Sequence, residues 1–288
     1  MNQIKKITFI GMGLINSSLV RSLKRKNLYK FSVAISRRRK TREKIKNLKL
    51  VDKVVSSYKV AVKDADLIVI GIPVNAYEEV IEKIKDHLKP GTIITDVGSV
   101  KKNIISVVEK KIPNNVFFIP GHPIAGTEKS GPESGFESLF SGGWCILTPQ
   151  IKTDKKAIQL VKNMWISVGM KVDIMDSIHH DMVLAITSHI PHIIAYSIVG
   201  TVSNLEKSLK REVIKYAASG FRDFTRIAAS DPVMWRDILI MNKVSILKML
   251  EVFKNDLNKL EKAIHKGDGK YLYDLFSTTR KIRKGVMK

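Results

Sequence analysis

Hydrophobic and polar positions follow two different rhythms in the two parts of this chain. Residues 4–10, IKKITFI, read as a buried strand, and GMGLINSS opens a helical stretch to about Lys26. FSVAIS reads as a second strand and residues 41–49 as a helix. DLIVIGIP, entered through Asp64 and Ala65, reads as a third buried strand. NAYEEVIEKIKDHL has helical spacing, GTIITDVGS reads as a strand, VKKNIISVVEKKI as a helix and VFFIPGH as a strand. GWCILTP, a helix near 154–168 and KVDIMD are expected to continue the same sheet. Regular strand–helix alternation predicts a parallel sheet with helices on both faces.

After Asp176 the texture changes. HHDMVLAITSHIPHIIAYSIV and WRDILIMNKVSILKMLEVFKNDLNKLEKAIHKGD carry apolar residues at helical spacing, and no strand pattern follows. The expected organisation is an α/β domain over 1–176 and an all-helical domain over 177–288. Pro191, inside a helical pattern, predicts a kink there.

Composition narrows this picture little. The 288 residues are 44% hydrophobic, as in a globular protein. The longest apolar run reads as far short of a membrane span. The chain opens directly into a strand, so no signal peptide is expected. The single cysteine, Cys145, excludes an internal disulfide framework, and a cytoplasmic location is the expectation. The formal charge of +23 raises nucleic acid, an acidic surface or an anionic small molecule as partners. The basic residues are spread along the chain and mixed with acids, as in TREKIKNLK, and no nucleic-acid motif accompanies them. They read as solvated helix surface.

The chemistry begins at GMGLIN, which follows the first strand and opens a helix. That is the context of a dinucleotide fingerprint in a Rossmann-type domain. Gly11 allows the tight turn, and Gly13 lets backbone approach a pyrophosphate at the helix N-terminus. Leu14 and Ile15 complete the candidate cofactor turn. The third fingerprint position, usually Gly or Ala, is Asn16. The second strand ends AISRRRK. Where an acid would bond a ribose 2′-hydroxyl stand Ser36, Arg37 and Arg38, which suit a 2′-phosphate. A solvated basic loop is the plainer alternative. Pro73, closing the third strand, is expected beside the nicotinamide ribose.

FIPGHPIAGTEKSGPESG, residues 118–135, is too rich in Gly and Pro for a helix or a long strand. It reads as a loop carrying His122 between Gly121 and Pro123, the kind of segment on which catalytic groups sit.

Together, GMGLINSSL, TDVGSVK, GHPIAGTEKSG, HHDMVLAITSHIPH and GFRDFTRIAASDPVMWRDI resemble the prephenate/arogenate dehydrogenase family of tyrosine biosynthesis. The resemblance covers nearly the whole chain, in order. It implies a dinucleotide-binding domain followed by a helical domain that forms a homodimer. It also implies oxidative decarboxylation: hydride leaves C4 of a cyclohexadiene, the 4-hydroxyl loses its proton, and carbon dioxide departs as the ring becomes aromatic. By resemblance His122 accepts that proton, which a neutral imidazole can do. Ser99 orients the hydroxyl and the nicotinamide, or caps the helix that follows it. Thr127 and Glu128 line the substrate entrance. His192 contacts substrate, with His189 in support. Arg222 binds a carboxylate, with Arg226 as the alternative, and Trp235 packs.

His179, His180, His189 and His192 raise the question of zinc. Cys145 is remote, no H-E-x-x-H occurs and the reaction needs no Lewis acid, so no metal is expected. NADP is expected over NAD, from Ser36 and Arg37. Prephenate and arogenate are not told apart. A hydroxy acid dehydrogenase of similar organisation leaves GHPIAGTEKSG and SHIPH without a reason. A nucleic-acid binder leaves His122, Ser99 and Arg222 without one.

Overall fold

The structure, a computed structural model, describes residues 4–127 and 129–286. Its contacts divide the chain into two compact units, one reaching Asn242 and one starting at Lys243.

The first unit begins with β1 (Ile4–Ile10), α1 (Leu14–Arg25), β2 (Tyr29–Ile35), α2 (Arg39–Asn47), β3 (Lys53–Val55), α3 (Tyr58–Val62) and β4 (Leu67–Ile70). It goes on through α4 (Tyr77–Ile84), β5 (Ile93–Asp96), α5 (Lys102–Glu109) and β6 (Phe117–Ile119). The six strands form one parallel sheet in the order β3-β2-β1-β4-β5-β6. DLIVI is therefore the fourth strand. The short β3 carries only KVV, a single half-exposed turn of pattern too brief to stand out.

Strand periodicity explains the two cores. On β1 and β4, Ile7, Phe9, Leu67 and Val69 pack with Leu19, Val20 and Leu23 of α1. Ile10, Ile68 and Ile70 face the other way, onto Ala61, Tyr77, Ile81, Ile104 and Val108 of α3, α4 and α5. Successive side chains point to opposite faces, so uninterrupted apolar strands demand helices on both. Each such side chain contributes ~1.5–3 kcal/mol when fully buried.

The later strands do not continue this sheet. β7 (Gly121–Ile124), β8 (Trp144–Leu147) and β9 (Lys171–Ile174), with α6 (Lys155–Ser167) before β9, build a separate three-stranded sheet ordered β7-β8-β9. The expected strand VFFIPGH breaks at Pro120, which has no N–H to offer a ladder. Beyond it Gly121 donates to Asp96 Oδ1 (3.0 Å), and β7 turns away to pair antiparallel with β8.

All regular elements after β9 are helical among the described residues. α7 (Ser177–Leu184) runs through a π-turn at Ala185–His189 into α8 (Ile190–Ser203). The unit ends with α9 (Lys207–Lys215), α10 (Ser219–Thr225), a 3-10 turn at Arg226–Ala229 and α11 (Pro232–Met241). Just before Pro191, where a kink is expected, the helix carries this wider turn, and the proline falls in the first turn of α8, where a missing N–H costs least. The helical run Ser177–Ser203 is long and apolar enough, by length and composition, to cross a membrane. That corrects the expectation of no such run. Its buried residues nevertheless include the polar His180, Asp181 and His189, while Ile186 and Val199 lie exposed.

The second unit is a hairpin of α12 (Lys243–Lys266) and α13 (Gly269–Val286). Gly267 turns the chain at φ +65°, and Asp268 caps α13 by accepting from Tyr271 N at 3.0 Å. Leu247, Leu257 and Ile264 on α12, and Tyr273, Phe276 and Ile282 on α13, are exposed.

Candidate active site

In the strand order found here the chain reverses direction across the sheet between β1 and β4. The crevice beyond the carboxyl ends of those strands is where such folds bind ligands. Gly11 and Gly71 meet there. Gly11 has φ +87°, and a Cβ on it would lie 2.3 Å from Gly71 O. Gly13 is the N-cap of α1, and a Cβ on it would meet no protein atom within 4 Å. The first glycine is thus fixed by the protein, and the second faces open space, as a backbone cradle for phosphate requires. Leu14 is buried behind it and Ile15 half-buried.

Asn16 is resolved by the same geometry. Its side chain is buried, and Nδ2 donates to Gly11 O at 2.7 Å. A Cβ on Gly71 would sit 2.6 Å from that nitrogen. The close approach usually made by a third glycine on the helix is here made by Gly71 on the strand side.

At the end of β2, Ser36 is half-buried and Arg37 and Arg38 are exposed. Arg37 Nη1 lies 3.1 Å from Glu79 Oε1, an exposed ion pair that a stronger anion can displace. Arg38 is the N-cap of α2 and makes no side-chain cap bond. Pro73 is exposed at the mouth of the crevice, in the turn after β4.

TDVGSVK builds the floor. Lys101 is fully buried, with Nζ 2.5 Å from Asp96 Oδ2 and 2.7 Å from Gly121 O. Asp96 also accepts from Tyr77 OH (3.0 Å), Gly98 N (2.9 Å) and Gly121 N (3.0 Å). Burial drives the lysine pKa down, and Asp96 opposes that. A buried ion pair of this kind stands only with its remaining bonds satisfied, as here. It ties the end of β5 to the start of β7. Sequence reasoning singled out Ser99 from this stretch and missed Asp96 and Lys101. An acid and a lysine five apart around a Gly-Ser turn, in apolar surroundings, were the available signal. Ser99 is half-buried in the turn and does not cap α5. The N-cap is Lys101, and the cap is supplied by Asp181, whose Oδ1 and Oδ2 accept from Lys101 N (2.8 Å) and Lys102 N (3.1 Å).

His122, on β7, is 9% exposed. Its Nδ1 lies 2.9 Å from His180 Nε2, and His180 Nδ1 lies 2.8 Å from Asp181 Oδ1. Burial, then the neighbouring His180, Lys101 and His189, hold the His122 pKa well below its ordinary value. Burial also lowers His180, opposed by Asp181. Sequence reasoning weighed His180 only as a metal candidate. Among the described residues no three His, Cys, Asp or Glu side chains are placed to hold a metal ion.

His189 is fully buried, and burial brings its pKa to about 4. Asn242 Nδ2 donates to Asp181 O (2.8 Å) and to His189 Nδ1 (3.1 Å), so the histidine proton sits on Nε2. That Nε2 and the Trp235 Nε1 are buried without a partner among the described residues. Trp235 stacks on His192 at 3.5 Å and meets His189 edge-on at 6.0 Å. His192 Nδ1 donates to Ser188 O at 2.9 Å, which leaves its Nε2 as an acceptor. Arg226 opens the turn after α10 and is close enough to depress the His192 pKa, after burial. Arg222 is exposed on α10, and its guanidinium has no hydrogen-bond partner among the described residues. Thr127 is exposed after β7, with Oγ1 accepting from Lys129 N at 3.2 Å. Glu128 lies outside the described residues.

The structure thus brings His122, His180, Asp181, His189, His192, Trp235 and Arg226 into one connected group, beside the end of β5. This arrangement offers a proton acceptor and buried N–H donors with nothing to bond.

Two family models match the chain: the nucleotide-binding domain of prephenate dehydrogenase over residues 19–174, and its dimerization domain over 176–278. The cyclohexadienyl dehydrogenase of Zymomonas mobilis is 40% identical over 286 residues, 98% of this chain and 96% of that protein. The prephenate dehydrogenase of Bacillus subtilis is 34% identical, over 99% of this chain and 77% of its own. Among solved structures, prephenate dehydrogenase from Aquifex aeolicus, in complex with hydroxyphenyl propionate and NAD+, superposes with a TM-score of 0.92. It is 33% identical and covers 99% of both chains.

Proposed function

This chain belongs to the prephenate dehydrogenase family, and we propose the following division of labour within it. The protein is an oxidoreductase that uses a nicotinamide dinucleotide to convert prephenate or arogenate, with loss of carbon dioxide, to the aromatic product on the way to tyrosine. Residues 1–176 serve the cofactor, and 177–288 serve substrate and subunit contact. The observation that carries this reading is one of place. The glycine crevice between β1 and β4 opens beside the end of β5, where β7 presents His122.

A bound nicotinamide would supply the hydride acceptor for C4. Gly11, Gly13 and the N-terminus of α1 hold its pyrophosphate, with Leu14, Ile15 and Pro73 along the dinucleotide. His122 takes the 4-hydroxyl proton, and Ser99 orients that hydroxyl. His192, half-buried with the Arg226 charge beside it, contacts the substrate, and the buried His189 and Trp235 hold it in place. Arg226 is preferred to Arg222 for the carboxylate because its charge is felt at His192. Arg222 and Thr127, both exposed, are assigned to the entrance.

The cofactor is NADP by preference. Ser36 replaces the acid, and Arg37 gives up Glu79 for the 2′-phosphate. The open side of Ser177–Ser203 is assigned to a twin subunit rather than to lipid, because its other side buries titratable groups.

A steady-state assay crossing prephenate and arogenate with NAD and NADP tests the whole reading. Release of carbon dioxide with an aromatic product is expected with NADP as the better cofactor. Ser36→Asp and Arg37→Ala should each weaken NADP far more than NAD, and an unchanged ratio removes the preference. His122→Asn should keep dinucleotide affinity and lose ~10²–10⁴-fold in kcat. Arg226→Gln should act mainly through KM.

A further inference from the structure

Two buried residues in line behind His122, His180 and Asp181, bear on which nitrogen of His122 carries its proton. The deduction starts from peptide groups, whose role is fixed. Lys101 N–H and Lys102 N–H can only donate, and both meet the Asp181 carboxylate, at 2.8 and 3.1 Å. The same Oδ1 faces His180 Nδ1 at 2.8 Å. Three donors on one carboxyl group require it to be an acceptor throughout, so Asp181 is ionised and His180 carries its proton on Nδ1. A neutral His180 then has a bare Nε2. The 2.9 Å contact with His122 Nδ1 is a hydrogen bond only if His122 supplies the proton. A neutral His122 protonated on Nδ1 has a bare Nε2, and no protein group occupies that atom among the described residues.

We propose that Asp181 and His180 are positioning residues, which hold His122 in the tautomer with a bare Nε2 and spread the charge that forms when it takes the substrate proton. This rests on the reading of His122 as the proton acceptor. One proton arrives at Nε2 from the substrate hydroxyl as the carbonyl forms. The Nδ1 proton moves toward His180, and the His180 proton toward Asp181. No other bond changes, and the positive charge ends nearer a carboxylate already fixed by the backbone of α5.

Neutrality of His180 is part of the device. A protonated His180 would donate from Nε2 to His122 Nδ1 and move the His122 proton to the wrong nitrogen. Burial opposes that protonation. Asp181 and Asp96 favour the charged His180, Lys101 acts with burial against it, and the balance lies on the neutral side. The Lys101 ammonium is paired with Asp96, His189 stays neutral near pH 7, and burial keeps the Cys145 thiol protonated.

The test combines histidine ring 15N NMR with kinetics. In the wild-type enzyme near pH 7, His122 and His180 should each show a protonated Nδ1 and a bare Nε2. His122 protonated on Nε2 overturns the proposal, whatever the activity. Asp181→Asn keeps one acceptor oxygen for Lys101 N and His180 Nδ1, but removes the negative charge that faces the forming imidazolium, and should lower kcat ~10²–10⁴-fold with little change in KM. His180→Gln offers an amide oxygen to His122 Nδ1 while donating to Asp181. It preserves the His122 tautomer and should retain more activity than Asp181→Asn. Asp181 also caps α5, so the deciding observation is the tautomer: His180→Gln leaves that cap intact and should keep His122 protonated on Nδ1, and His122 protonated on Nε2 in that variant overturns the proposal. Should Asp181→Asn not fold, the wild-type spectrum and the His122 tautomer in His180→Gln still decide. Full activity of His122→Asn would instead overturn the reading on which the proposal rests.

Discussion

Gly11 and Gly13 look alike in the sequence and differ in what surrounds them. Gly11→Ala forces a side chain to φ +87° and into Gly71 O. It should destabilise the fold by more than ~1–3 kcal/mol, the usual cost of such backbone strain. Gly13→Ala meets no protein atom and replaces a helix N-cap at a cost of at most ~1 kcal/mol. It should keep the melting temperature within a few degrees and lose dinucleotide affinity. Thermal unfolding beside cofactor titration separates the two. Equal loss of stability would place the pyrophosphate away from Gly13. The presence of the glycine turn was legible because strand, glycines and helix stand in one local order. The role of Asn16 was not, because it depends on Gly71, fifty-five residues away in sequence and in contact only across the sheet. The same holds for His122. Its loop announced chemistry, while Asp181, which governs its proton, is fifty-nine residues further on.

The run from α7 to α8 packs titratable groups into an apolar helix. Buried positions 177, 180, 181, 184 and 185 follow helical spacing. Ordinary spacing would next bring Ser188 inward, and the extra residue of the π-turn brings His189 instead. Hydrophobic periodicity has no mark for such a turn, so the stretch through SHIPH reads as helical spacing without it. The sheet break at Pro120 escaped for a similar reason: FFIPGH keeps an apolar strand pattern through a proline that redirects the chain. Burial of neutral histidines has a pH consequence. His122, His180 and His189 have folded pKa values below the unfolded ~6.5. Below that pH the unfolded chain binds protons that the folded chain refuses, so stability rises with pH in this window. It should be complete above about pH 6.5 and decline toward the His189 value of about 4. Each histidine contributes a slope of up to ~1.4 kcal/mol per pH unit. Denaturant midpoints from pH 7 to 4 should show this, and His189→Gln should make the slope shallower. An identical slope in that variant would mean that His189 protonates without unfolding.

At the scale of the whole molecule, net charge and apolar surface pull in opposite directions. The hairpin of α12 and α13 cannot bury both its apolar stripes by itself, and leaves Leu247, Ile264, Tyr273 and Phe276 exposed. A two-fold twin is the commonest way to cover such faces. Each copy carries +23, so association brings like charges together. Salt screens that repulsion and leaves apolar burial intact or stronger. The dimer should therefore tighten as salt rises from 0.05 to ~0.5 M, although most charge-bearing contacts weaken. Dinucleotide binding, which brings phosphate to a basic protein, should weaken over the same range. Sedimentation at low micromolar concentration should give twice 32.5 kDa, with dissociation seen first at low salt. Leu247→Glu and Phe276→Glu lie on exposed positions, so they should leave the protomer folded and shift the equilibrium to monomer. A salt dependence of the same sign for dimer and cofactor would mean that ion pairs, not apolar faces, hold the subunits together.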